Sequence, residues 1–402
     1  MTQGVWIAGA YQSDFARNLT REGRDFAALT EEVVAHTLAA ARIGAEAVDV
    51  IHVGNAFGEV FAGQGHLGAM PATVNPALWG VPAVRHEAAC ASGSVVTRAA
   101  IADLCAGFAD VALVVGIELV KTVPGHIGAE RMGVAAWAGH EEVETTNMWA
   151  WVFAQVADEY DRRYGLDDAY LHAIAVNNYA NAKRNPNAQT RDWEPPTDDA
   201  DNPFVEGRLR RIDCSQLTDG GAGLVLVTDR YLRDHPDLRP LARIEGWGQR
   251  TVGLGLQQKL DRDRESPYVM PHVRQAIQQA FDWAGVTLDD IDGFEVHDCF
   301  SPSEYLAIDH LGLTEPGQSW RAVEDGTIAL GGRFPINPSG GLIGGGHPVG
   351  ATGVRMLVDA AKQVSETAGD YQVPGARRFG TLNIGGSTAT TFSFVVGAVP
   401  MR

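Results

Sequence analysis

Short apolar runs alternate along this chain with longer stretches whose apolar positions recur every three or four residues. Residues 4–11 (GVWIAGAY) predict a strand. Residues 28–42 predict an amphipathic helix with Leu29, Val33, Val34 and Leu38 on one side. Residues 48–56 (VDVIHVGNA) and the β-branched run 111–118 (VALVVGIE) predict buried strands, with a helix over 91–107 between them. The run 221–229 (GAGLVLVTD) resumes the sheet. From residue 241 the order restarts: a strand in ARIEGWGQ, a helix over 268–284, a strand ending at DGFEVHDCF, helices over 303–311 and 350–366, and paired strands in FGTLNIGG and TTFSFVVGA. Alternating strands and helices imply parallel strands covered by helices, an α/β fold. The two halves share one order of elements without a close residue repeat. This divides the chain into a first half (1–118 and 209–240) and a second half (241–402).

The stretch 119–208 breaks the alternation. It holds Trp137, Trp149, Trp151 and Trp193, a helical period around 145–183, and a loop-like run rich in Asn, Asp and Pro, AKRNPNAQTRDWEPPTDDADNP. It reads as an insertion riding on the first α/β unit. Trp137, Met148, Trp149 and Trp151 could line an apolar pocket there, although packing between its helices is the simpler expectation.

Composition narrows the classes. The chain has 402 residues, 45% apolar and 20% charged, enough to bury a large core in two or three units. A net charge of -18 argues against nucleic-acid binding, which needs clustered Lys and Arg. It leaves room for an anionic small ligand held locally. The four cysteines, Cys90, Cys105, Cys214 and Cys299, form neither a disulfide framework nor a Cys-x-x-Cys metal pattern, so no metal is expected. No basic-then-apolar leader opens the sequence, and the run ALVVGIELV falls far short of the ~20 residues that span a bilayer. A soluble protein of a reducing, cytoplasmic compartment is expected.

Candidate chemistry gathers where glycine does. Cys90 lies in HEAACASGSVV, just before a helical run, where the helix dipole would lower its pKa. A buried structural cysteine is the alternative. His347 lies in GGGHPVGATG, a setting that suits a general base better than core packing. His297 and Cys299 end an apolar strand, where open α/β sheets place their ligand crevice. A satisfied turn histidine and an apolar filler are the alternatives. The turn NIGGS (383–387) offers backbone N–H groups to an oxyanion, or is a plain hairpin turn.

These elements, in this order, resemble the thiolase superfamily. CASG at Cys90, HDCF (297–300) and GHPVGATG (346–353) match its motifs, HDCF in the form found in sterol-carrier-protein thiolases. GVWIAGAYQSDFAR resembles the family's opening strand and DCSQLTDGGAG (213–223) the approach to the last strand of the first half, so the likeness spans nearly the whole chain. The resemblance implies a thiolase-like fold: two similar five-stranded α/β halves in αβαβα layers, with an inserted loop domain. It implies that Cys90 carries the acyl group, that His347 activates it, and that His347 and His297 hold the thioester oxygen. The backbone N–H groups of Cys90 and Gly385 would form a second oxyanion hole. Common thiolases carry a second catalytic cysteine in a Cys-x-Gly turn. Asn383 stands there instead, and Cys299 would take over the acid/base role. The resemblance further implies acyl-CoA and CoA as ligands, CoA being a substrate and no cofactor being permanently bound, and a homodimer or homotetramer. A ketoacyl-synthase-like condensing enzyme, a scaffold without turnover, and a subunit that needs an OB-fold partner protein are the competing readings.

Overall fold

The computed structural model describes residues 3–400 apart from 142–144, 146 and 197–199. Part of the Asp- and Pro-rich run of the insertion therefore lies outside the described residues. Eleven strands are described: β1 (Val5–Gln12), β2 (Val50–Gly54), β3 (Ala83–His86), β4 (Val111–Glu118), β5 (Phe204–Glu206), β6 (Leu209–Arg210), β7 (Gly220–Thr228), β8 (Ala242–Thr251), β9 (Phe294–Val296), β10 (Arg378–Gly385) and β11 (Thr390–Ala398). Nine of them join in one sheet, ordered β3-β2-β4-β7-β1-β8-β11-β10-β9, while β5 and β6 pair separately.

The duplication expected from the sequence is visible in this order. Pair by pair, β1, β2, β4 and β7 correspond to β8, β9, β10 and β11. The β2–β4 and β9–β10 pairs are both parallel, and β4–β7, β1–β7, β10–β11 and β8–β11 are all antiparallel. The counterpart of β3 in the second half is a single parallel bridge, Phe294 to Ile336. The expectation of five strands in each half is therefore corrected to five and four. A segment beginning Pro335-Ile336-Asn337-Pro338 has two residues that cannot donate to a ladder, so pairing stops at one bridge. The expectation of a parallel sheet is likewise corrected to a mixed one. The halves meet at an antiparallel seam in which Val5, Trp6 and Ile7 face Ile244, Arg243 and Ala242.

Helix Phe26–Ala41 packs on β1 and β7, and helix Pro271–Ala284 on β8 and β11. Helices Ser92–Ala106 and Thr352–Val364 touch each other, and the second also touches strands of both halves. They therefore fill the middle of the five layers. The two central helices cross backbone to backbone. A Cβ on Gly353 would lie 2.4 Å from Ser94 N, and one on Gly93 would lie 2.7 Å from Gly353 N. Gly353→Val should therefore overpack the crossing and destabilise the protein by about 3 kcal/mol, read as a lower midpoint in denaturant unfolding.

The described segment with the length and apolarity of a membrane span, 89–106, includes the first of these central helices. Its apolarity serves the core, where Val96, Ala100, Ile101 and Leu104 pack with residues of both halves.

The insertion sits differently from the sequence expectation. Its long helices, Met148–Tyr164 and Asp168–Ala182, pack on helix Ser301–Leu311 of the second half. Phe153, Tyr160, Leu171 and Ile174 share one core cluster with Tyr305, Leu306 and Ile308. The long helices of the insertion thus dock on the second half, while Arg131 and Arg191 still tie the insertion to Val60 and Asp14 of the first.

Candidate active site

Cys90 follows a tight turn. Ala89 holds a left-handed φ of 49°, an uncommon choice for a residue with a Cβ. The Ser92 hydroxyl brackets the turn, donating to Ala89 O at 2.6 Å and accepting from Ala88 N at 2.9 Å. The helix starts at Ser92, so the thiol does stand at a helix N-terminus. Burial nonetheless pushes it up to about 12, against the opposing pull of the Gly386 amide directed at its sulfur. The sequence led to an expectation of a lowered thiol pKa; burial, the largest influence on this sulfur, acts in the opposite direction.

His347 is held from three sides. Its backbone N donates to Thr218 Oγ1 at 2.8 Å, and Glu118 at the end of β4 accepts from Gly350 N at 2.9 Å. Asp298 accepts from Leu342 N and Ile343 N, anchoring the glycine-rich loop upstream. The approach is close enough that a Cβ on Gly341, whose φ is +61°, would meet Asp298 Oδ2 at 2.4 Å. His347 Nδ1 lies 2.7 Å from Thr352 Oγ1, whose own hydroxyl donates to Pro348 O. The threonine oxygen therefore accepts from Nδ1–H, which leaves Nε2 as a bare acceptor without a protein partner. Burial, reinforced by the Arg355 charge, pushes this imidazole down to about 3, so it is neutral at working pH.

His297 and Cys299 leave the end of β9 just before helix Ser301–Leu311. The His297 and His347 rings meet edge to face, 5.1 Å between centroids. Cys90 Sγ and one ring nitrogen from each histidine lie within 4.8 Å of one another. Such spacing would admit a metal ion; the sequence expects none, and no step below uses one. Burial holds His297 neutral, with lesser contributions from His347 and Arg355. Cys299 lines the same cavity, and burial, then the nearby Cys90 and Asp298, raise its thiol well above the ordinary range.

All four side chains open into one cavity of about 290 Å³, whose other walls include Phe57, Met132, Trp149, Phe153, Cys214 and Phe300. Trp149 therefore lines the cavity as well as packing, while Met148 and Trp151 belong to the core and Trp137 stacks on His140. The amide that turns to the Cys90 sulfur belongs to Gly386. Gly385, named from the sequence, is still in β10, paired with Thr390. Sequence reasoning missed Thr352 and Glu118, which set the position of His347. The spacing of Thr352 five residues after His347, at the start of a helix, was the available signal.

A neutral thiol beside a neutral imidazole has a measurable signature. In the free protein the rate of Cys90 alkylation by iodoacetamide should climb about tenfold per pH unit from about pH 6 to about pH 9. A plateau near neutrality would instead report a preformed thiolate–imidazolium pair.

Residues 5–195 match the family model described as thiolase, N-terminal domain, and residues 256–398 match thiolase C-terminal domain-like. The chain belongs to the thiolase family. This thiolase is 32% identical to the acetyl-CoA acetyltransferase of Methanothermobacter thermautotrophicus over 345 residues, covering 85% of this chain and 87% of that protein. It is 27% identical to human sterol carrier protein 2 over 413 residues, covering 96% and 71% respectively. In fold it resembles the solved Ltp2-ChsH2(DUF35) aldolase, with a TM-score of 0.78, 21% identity and 99% of each chain covered. The thiolase is thus an acyltransferase enzyme of a family whose ligands are acyl-CoA and CoA.

Proposed function

We propose that this thiolase cleaves 3-oxoacyl-CoA with CoA, or runs the reverse Claisen condensation, through an acyl-Cys90 intermediate. The observation that carries the proposal is the convergence of Cys90 Sγ with the ring nitrogens of His297 and His347 within 4.8 Å, in a cavity that Cys299 also lines.

The bare Nε2 of His347 takes the Cys90 proton, and the thiolate attacks C3 of the 3-oxoacyl group. The N–H groups of Cys90 and Gly386 meet the resulting alkoxide. The C2–C3 bond then breaks, leaving acyl-Cys90 and the enolate of acetyl-CoA. The enolate oxygen faces His297 and the newly protonated His347, two donors in a site where each is worth about 10²–10³ in rate. Cys299 protonates C2, and its thiolate next deprotonates incoming CoA. The CoA thiolate attacks the acyl-Cys90 carbonyl, and the departing Cys90 thiolate recovers its proton from His347. A thiol raised by burial suits Cys299, because a weakly acidic thiol gives a strongly basic thiolate.

The decisive experiment incubates the enzyme with acetyl-CoA, locates the adduct by peptide mass spectrometry, and then measures thiolysis across 3-oxoacyl-CoAs of increasing length. An acetyl group on Cys90 together with CoA-dependent cleavage supports the reading. An unmodified Cys90 rejects it. A second reading, a subunit that turns over only with a partner protein, draws on the DUF35-bearing assembly of the Ltp2 structure. It predicts acetylation of Cys90 by the isolated chain without thiolysis. Expected oligomers, a homodimer or homotetramer, are to be read by light scattering.

A further inference from the structure

Asn383 has no role in the steps above, yet its side chain touches two of the residues that do. It is 1% exposed, near the end of β10. Its Nδ2 donates to the Cys90 carbonyl oxygen at 3.1 Å and lies 3.0 Å from His297 Nδ1. Its Oδ1 lies 2.8 Å from the Ser94 hydroxyl.

The chemistry of these three contacts fixes the protons. A backbone carbonyl only accepts hydrogen bonds, so the amide atom facing Cys90 O is the NH₂ group. That same NH₂ group faces Nδ1 of His297, and its N–H needs a ring nitrogen without a proton. A neutral imidazole carries a single proton, which must then sit on Nε2. The Ser94 hydroxyl completes the set by donating to Oδ1. The alternative tautomer would set two N–H groups against each other in a dry site. Leaving them unpaired disfavours it on the order of ten- to a hundredfold.

We infer that Asn383, bonded at once to the Cys90 carbonyl and to His297 Nδ1, sets the tautomer of His297 so that Nε2–H points at the reacting oxygen. Asn383 is a positioning residue, and its consequence for turnover rests on the reading of His297 as an oxyanion donor. The two histidines are thereby set to opposite tasks. Thr352 takes the proton side of His347 and leaves an acceptor in the cavity, whereas Asn383 takes the acceptor side of His297 and leaves a donor. The position where the family resemblance would place a second cysteine thus holds a residue with a different task.

Asn383→Asp keeps the shape but replaces the amide donor with an acceptor, drawing the His297 proton to Nδ1. Asn383→Ala removes the partner without imposing the opposite tautomer. Long-range proton–nitrogen NMR spectra of the full-length enzyme, made with isotope-labelled histidine, report which ring nitrogen is protonated. Near-UV circular dichroism confirms that each variant is folded. We expect Nε2–H in the parent enzyme and Nδ1–H in Asn383→Asp. For Asn383→Asp, kcat for thiolysis should fall by about 10²–10³ with KM little changed, and Asn383→Ala should fall between the two. Aspartate also sets an oxygen against the Cys90 carbonyl, which would disturb a merely structural asparagine equally, so the His297 spectrum and not the order of the two rates separates the readings. Nδ1–H on His297 of the parent enzyme, or Nε2–H retained in a folded Asn383→Asp variant, overturns the inference. The parent spectrum alone decides if a variant does not fold. Should the spectra switch while turnover stays unchanged, control of the tautomer stands and the donor role of His297 fails.

Discussion

Cys90→Ala should leave a folded protein that forms no acyl adduct from acetyl-CoA and whose thiolysis is lower by on the order of 10⁴–10⁶-fold. The size of the loss follows from what the thiol alone supplies. Alanine keeps the cavity, both imidazoles and the Gly386 amide, so substrate can still bind and its oxygen can still be polarised. No atom remains to form the thioester, and CoA cannot replace Cys90 because its sulfur arrives only in the second half of the reaction. The fold should tolerate the change, since Cys90 as a whole is half-buried and the Ser92 hydroxyl holds its turn independently of the sulfur. The measurement pairs adduct mass with stopped-time thiolysis. Retention of more than a hundredth of the parent rate would assign the nucleophile elsewhere.

Cys299→Ala separates the two halves of the reaction. Acetylation of Cys90 by acetyl-CoA needs His347 and the backbone amides but no acid at C2; it loses only the Cys299 proton for the departing CoA thiolate, which water can supply, so the adduct should still form, more slowly. Condensation and cleavage at the C2–C3 bond should fall by about 10²–10⁴, the usual contribution of a placed general acid–base. Burst mass spectrometry and exchange of the acetyl-CoA methyl protons with deuterated water read the two steps separately. The high thiol pKa strengthens the expectation. Water that fills the space left by the sulfur is far less basic than a thiolate raised by burial. Equal carbon–carbon chemistry in the variant would give the acid/base role to another group.

Local pattern carried most of the elements to the page. The strands 111–118 and 390–398 stand where their β-branched runs put them. The helix behind Cys90 spans Ser92–Ala106, within one residue of its expected ends. What the pattern could not carry is direction and partnership. β7 and β11 are buried on both faces in an antiparallel setting, yet they read like parallel strands, because burial and not pairing sense writes the apolar run. The docking of 148–182 onto the second half depends on contacts far apart in sequence. Its helices show an apolar stripe but not what the stripe meets.

Within the site the sequence singled out Cys90, His297, Cys299 and His347, and the fold brings all four to one cavity. Their protonation was misjudged for Cys90, because a helix N-terminus is visible in a sequence whereas the loss of water around a sulfur is not. The role of Asn383 was hidden for a different reason. Viewed along the chain it occupies the place of a cysteine, and only the neighbouring carbonyl and ring nitrogen give its amide a meaning.

The correspondence between the two sets of strands has an evolutionary reading. Cys90 and His347 precede matching helices, so two like folding units hand over different atoms from the same address, one to attack and one to receive a proton. What the two units hold in common is backbone shape, down to the paired glycines, Gly93 and Gly353, where their helices cross. Kinship between the units therefore survives as architecture long after the letters have drifted apart, which is why the chain repeats itself in space and not in spelling.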